Sequence, residues 1–88
     1  MKTVLIHNPA AGQRDVHREV QQVADMLAQH GWQVAIRQTA APGDGLRLAA
    51  GAAREGNDLV VAVGGDGTLG EVAAGLAGSG CILGVLPV

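Results

Sequence analysis

Four short apolar runs alternate with three longer stretches in which apolar residues recur every three or four positions. The runs are Thr3 to His7, Gln33 to Arg37, Asp58 to Val63 and Cys81 to Leu86. The first, third and fourth are nearly continuous: Val4-Leu5-Ile6, Leu59-Val60-Val61-Ala62-Val63 and Ile82-Leu83-Gly84-Val85-Leu86. Strands covered on both faces, as in a parallel sheet between helices, read this way. The second run alternates and ends in polar residues, which places it at an edge. In the first helical stretch Val16, Val20, Val23 and Leu27 fall on one face, with Asp15 as N-cap and Gly31 as the stop. A second helix is predicted from Asp44 to Glu55, turning Leu46, Ala49, Ala50 and Ala53 inward. A third opens at Thr68-Leu69-Gly70-Glu71, a capping-box sequence, with Leu69, Val72, Ala73 and Leu76 inward.

The resulting β-α-β-α-β-α-β pattern predicts an α/β fold: a three-layer open parallel sheet of four strands with three helices. The order 2-1-3-4 is preferred, because it sets the loops after strands one and three side by side. Ligands of such sheets bind beyond the carboxyl ends of the strands, where the strand order reverses.

Composition narrows the function. A chain of 88 residues suits one small domain or a piece of one. At 48% hydrophobic it is too apolar for disorder, and with Trp32 as its one aromatic the core must be aliphatic and rich in alanine. A net charge of −2, with the charges scattered singly, offers no basic face for nucleic acid. The one cysteine, Cys81, excludes a disulfide framework, suits a reducing compartment and is read as core. No apolar run approaches the ~20 residues that span a bilayer, and no secretion signal is expected behind Lys2. A cytoplasmic protein is the expectation.

The chemistry concentrates in two loops. Asn8-Pro9-Ala10-Ala11-Gly12-Gln13-Arg14 follows the first strand, and Gly64-Gly65-Asp66-Gly67-Thr68 joins the third strand to the third helix. Glycine lets backbone amides approach an anion, and a helix N-terminus favours negative charge. The second loop is therefore predicted to be a phosphate cradle. Asp66 would repel a bare phosphate; either it bonds its own loop amides, or a Mg²⁺ or its waters stand between the two. Gly65-x-Gly67-x-x-Gly70 matches the dinucleotide fingerprint, but the acidic residue expected about 20 positions later is missing. There is no Walker A motif. His7, His17 and His30 are isolated; His17 and His30 are expected to face solvent, and His7 to be a polar strand end. Arg14 either reaches a phosphate or is a solvated charge at a helix start.

Together these residues resemble the diacylglycerol kinase family of lipid kinases. The likeness runs the length of the chain. Val4 to Gly12 resembles the family's opening strand and Asn-Pro-x-x-Gly loop, and Thr39 to Ala49 is similar to its Thr-x-x-x-Gly-Asp-Ala segment. Asp58 to Val72 resembles its nucleotide signature, and Ile82 to Pro87 the strand after it. The resemblance implies a nucleotide-binding subdomain, residues 1–88, of an incomplete catalytic domain that transfers the γ-phosphoryl group of ATP to a lipid hydroxyl. It implies ATP and Mg²⁺ as cofactors and nucleotide contacts from Asn8, Gly12, Arg14, Thr39, Gly64, Gly65, Asp66, Gly67, Thr68 and Glu71, with Asp66 the candidate metal contact through water. For Glu71 the capping box is an equal alternative. Gly70 departs from the family's usual Asn, and Gln13 from its Lys or Gly.

The family's Gly-Thr-x-Asn-Asp loop, catalytic base and lipid-binding surface are implied to lie beyond Val88. No catalytic residue is therefore assigned here, lipid kinase activity is not expected from these residues alone, and full-length protein is expected peripherally at the membrane. The fourth strand, left as an exposed apolar edge, is expected to self-associate. Two other readings stand: a fragment similar to NAD kinase, which shares the Gly-Gly-Asp-Gly signature, and a non-catalytic nucleotide-binding module.

Overall fold

The structure, a computed structural model, describes residues 1–9 and 16–87. Its elements are β1 (Lys2–His7), α1 (Val16–Gln29), β2 (Gln33–Gln38), α2 (Asp44–Arg54), β3 (Leu59–Gly64), α3 (Asp66–Leu76) and β4 (Ile82–Pro87). The strands pair in parallel in the order β2-β1-β3-β4, as the sequence predicts. The chain first steps from β1 to β2 and then crosses back to β3 and on to β4. Right-handed crossovers consequently put α1 on one face and α2 with α3 on the other.

Strand alternation divides the core between these faces. Val4, Ile6, Val60 and Ala62 pack against Ala49, Ala52, Val72 and Leu76 of α2 and α3. Leu5 and Val63 point the other way, against Val16, Val20 and Ala24 of α1. The buried row on α1 thus runs in steps of four, and Val23 and Leu27 of the predicted stripe sit at its half-buried rim. On α2 the buried residues are Gly45, Ala49 and Ala52, while Leu46 is 45% exposed, because this helix turns toward α3 as well as toward the sheet. Ala73 on α3 faces solvent, one residue round the helix from buried Val72.

With a single aromatic residue, close backbone approach replaces bulky packing. A Cβ on Gly75 would fall on the carbonyl oxygen of Leu46 and lie 2.9 Å from the Ala49 Cβ. The α2–α3 layer is therefore held at a spacing that no larger residue permits. β4 is the exposed apolar edge that the order 2-1-3-4 predicts: Ile82, Leu83 and Val85 are 59, 36 and 50% exposed. Its apolar continuity matches a strand covered on both faces, but it is an edge strand here. Cys81 stands just before β4, half-buried against the α2–α3 core, and burial pushes its thiol pKa up. No helix among the described residues is long and apolar enough to cross a membrane.

His7 corrects the sequence reading. It is fully buried, neither ring nitrogen has a hydrogen-bond partner among the described residues, and its ring lies 5.3 Å from that of exposed His17. Alternation along β1 decides this: His7 shares the α1 face with Thr3 and Leu5. Burial first, and the charge of His17 second, lower its pKa, so the imidazole is kept neutral.

Two predictions follow from this packing. Gly75→Ala should lower stability by about 1–3 kcal/mol through overpacking. Gly70→Ala, where a Cβ meets nothing within 4 Å, should raise it by up to about 1 kcal/mol through helix propensity. Urea midpoints test both, and equal shifts of one sign would refute the close-approach account. The second prediction concerns pH. The folded pKa of His7 lies below its ordinary 6.5, so the unfolded chain takes up that proton first. Stability is then full above 6.5 and is lost as pH falls through the folded value. Asp44 and Glu55, held below their ordinary 3.8 and 4.5, act only at lower pH. His7→Leu should flatten the loss that sets in below 6.5 in denaturant midpoints; an unchanged slope would acquit His7.

Candidate functional site

Strand register brings the site residues level. His7 lies opposite Gln38 of β2 and Val63 of β3, so Asn8, Thr39 and Gly64 leave the sheet along one rim. The Thr39 amide donates to the His7 carbonyl at 2.9 Å, which pins the end of β2 beside Asn8. This rim is where the strand order reverses, the place open α/β sheets leave a crevice. A cavity of about 400 Å³ fills it. Asn8 lines it from the end of β1, Thr39 to Pro42 form the wall after β2, and Gly65, Gly67, Thr68 and Glu71 form the wall at the start of α3.

The turn from β3 into α3 follows from its glycines. Gly64 has φ +152°, and a Cβ there would lie 3.0 Å from the Thr68 hydroxyl, which folds back over it. Gly65 is the extended N-cap residue and carries no side chain to cap the helix. The first bond in the helix is Leu69 N–H to the Gly65 carbonyl, at 3.0 Å. Amides ahead of it have no partner within the helix, as at any α-helix start, and here they border the cavity.

This geometry replaces the predicted capping box. The helix starts at Asp66 rather than Thr68, so Thr68 already lies within the first turn and Glu71 too far along to reach back to a cap. Glu71 instead accepts from the amides of Gly43 and Gly45 at 3.0 and 2.9 Å, at the start of α2. Asp66 makes no hydrogen bond to its loop amides among the described residues, so that alternative falls. Its exposed carboxylate stands at the positive end of the helix dipole, a favourable place for it.

In the sequence Asp44 reads as the start of a helix and as the Asp of the Thr-x-x-x-Gly-Asp-Ala segment, with no role attached to its carboxylate. In the structure its carboxylate accepts from the amides of Ala40 and Ala41 at 2.7 and 3.0 Å and pairs with Arg47 at 2.9 Å. The Ala40 amide first, and Arg47 next, hold its carboxyl below the usual range. Asn8, Thr39, Gly65, Gly67, Thr68 and Glu71 are thus brought together around the cavity. Gly64 is buried just behind it and Asp66 is outside its lining. Gly12 and Arg14, with the predicted N-cap Asp15, lie outside the described residues.

Among the described residues no group of three or more His, Cys, Asp or Glu side chains could hold a metal by itself. Mg²⁺ usually takes only one or two carboxylates, completing its shell with phosphate oxygens and water. The uncommitted carboxylate of Asp66 suits that sparse mode of ligation.

Known proteins resemble this chain in both sequence and fold. A diacylglycerol kinase of Bacillus subtilis (strain 168) is 37% identical over 86 residues, covering 96% of this chain and 28% of that protein. One from Staphylococcus aureus is 36% identical over 73 residues, covering 83% of this chain and 23% of that protein. A crystal structure of a Bacillus anthracis diacylglycerol kinase superposes with a TM-score of 0.79 at 34% identity, covering 98% of this chain and 32% of that one. A phosphate-loop protein solved in solution superposes with a TM-score of 0.75 at 22% identity, which speaks to the fold alone. The chain thus spans less than a third of the diacylglycerol kinases it matches. The diacylglycerol kinase catalytic domain matches residues 2–88, and the chain belongs to that family.

Proposed function

We propose that residues 1–88 are the nucleotide-binding subdomain of a lipid kinase, and that the cavity holds the phosphates of Mg²⁺·ATP for transfer of the γ-phosphoryl group to a lipid hydroxyl. The observation that carries this reading is the helix N-terminus of α3, opening without a side-chain cap onto a cavity at the strand-order switch. Backbone donors so placed favour phosphate oxygens. Asn8 and the Thr39 hydroxyl offer further polar contacts in the cavity lining. Gly64 serves indirectly, by letting Thr68 close over the turn. Asp66 would hold Mg²⁺ through water, and the metal would supply charge neutralisation at the phosphates. Gly12 and Arg14 remain assigned to the nucleotide from the sequence pattern.

Phosphoryl transfer is carried by positioning and charge stabilisation from several parts acting together. The 88 residues supply the donor side, with no group assigned as base for an acceptor hydroxyl. By themselves they should bind nucleotide weakly and turn over no lipid. Peripheral action at a membrane, and recognition of the lipid, belong to this reading only for a protein of its relatives' length.

Amide shifts during a Mg²⁺·ATP titration test the site. Changes should centre on Gly64 to Thr68 and extend to Asn8 and Thr39; changes confined to other surfaces would count against it. Asp66→Asn should reduce the ratio of affinities with and without Mg²⁺ by about tenfold, the scale of one charge-assisted contact. An unaltered ratio would remove the metal role.

The exposed edge supports a second part of the reading. β4 presents unpaired backbone together with Ile82, Leu83 and Val85, a template for another strand. The isolated chain should self-associate at high concentration, and Val85→Lys should return it to monomer. Light scattering that finds the unaltered chain monomeric throughout would refute this.

A further inference from the structure

The strap of residues 39–43 is irregular backbone, yet its amides are all engaged. Thr39 N–H goes to the His7 carbonyl at 2.9 Å, and those of Ala40 and Ala41 go to the Asp44 carboxylate at 2.7 and 3.0 Å. Pro42 has none. The Gly43 amide and, beyond it, the Gly45 amide reach the two oxygens of Glu71 at 3.0 and 2.9 Å. Asp44 therefore braces the strap from within its own helix, whereas Glu71 reaches it from α3, which carries the opposite wall of the cavity. α2 has no side-chain cap from its own N-cap residue, Gly43; the cap comes from another helix. The contact depends on Gly45, where a Cβ would lie 2.8 Å from Glu71 Oε1 and 2.9 Å from its Cβ.

We propose that Glu71 is a positioning residue. Its carboxylate clamps the Thr39–Pro42 wall to the helix bearing the glycine turn and so sets the width of the cavity. Both its oxygens accept backbone donors, so its effect on the site runs through the backbone it holds. A carboxylate there also faces the positive end of the α2 dipole, which strengthens both bonds. The consequence for affinity rests on the nucleotide reading above; the clamp itself does not.

Two substitutions in the 88-residue chain attack the clamp from opposite sides. Glu71→Gln leaves one oxygen acceptor and turns an NH₂ toward a backbone donor. Gly45→Ala keeps the carboxylate and the net charge but occupies its place; if that variant fails to fold, Glu71→Asp, charged but shorter, takes its role. Without ligand, hydrogen exchange at Gly43 and Gly45 should quicken by at least about tenfold in each variant, the scale of a lost bond to a charged group. Protection at Leu5 and Val61 should persist. Unchanged exchange at Gly43 and Gly45 in Glu71→Gln would overturn the clamp.

With Mg²⁺·ATP as probe, both variants should bind more weakly by a similar factor, each keeping the wild-type ratio of affinities with and without Mg²⁺. Wild-type affinity in Gly45→Ala together with a lost Mg²⁺ dependence in Glu71→Gln would mean direct contact, and would overturn the positioning role. If the unaltered chain bound no ATP, the nucleotide reading would fail, and the exchange rates would still decide whether the clamp exists.

Discussion

An α-helix begins with amides that its own backbone cannot satisfy, and the cap residue of α3, Gly65, has no side chain to satisfy them. That constraint organises the rest of the molecule. Gly65 at the cap position leaves the donors open, and the parallel register of β1, β2 and β3 brings the other strand ends level with them. Had the chain continued from β1 to its neighbours in one direction, the loops after β1 and β3 would not flank one crevice. The reversal of strand order creates the opening, and the uncapped helix gives it a chemical preference.

The second helical layer keeps that opening rigid without large side chains. α2 and α3 meet through glycine and alanine, with Gly75 against the backbone near Leu46 and Gly45 against Glu71. Dispersion contacts between backbones tolerate little displacement, since an added methyl group has nowhere to go. A core made with one aromatic residue is therefore not a loose one. Its tight side is the side that carries the walls of the cavity, whereas the α1 side encloses His7 with no hydrogen-bond partner among the described residues.

Much of the fold was legible because it depends on local pattern. The runs Val4-Leu5-Ile6 and Leu59 to Val63 read as buried parallel strands and are such, and the glycine turn after β3 announced itself by composition. The misses share a physical cause: each depends on a partner distant in sequence. Glu71 looked like half of a capping box because its true donors, Gly43 and Gly45, precede it by more than seven helical turns of chain. His7 looked like a polar strand end, since alternation tells which face a residue takes but not how deeply the facing helix covers it. The family match, in turn, favours the lipid kinase over the NAD kinase reading, which the shared glycine signature alone left open.

Both carboxylates beside the cavity are spent on holding backbone, and this bears on its charge. Asp44 and Glu71 sit at the N-terminal end of α2, where their charge is offset by the helix dipole and by the amides they accept. Arg47 compensates Asp44 further. Two negative groups can thus stand close to a site suited to anions without the full repulsion their formal charge suggests. Asp66 is different, for it accepts no backbone donor among the described residues. Of the described acidic side chains around this rim, it is the one whose charge remains available to a cation, and a cation is what a triphosphate would bring with it.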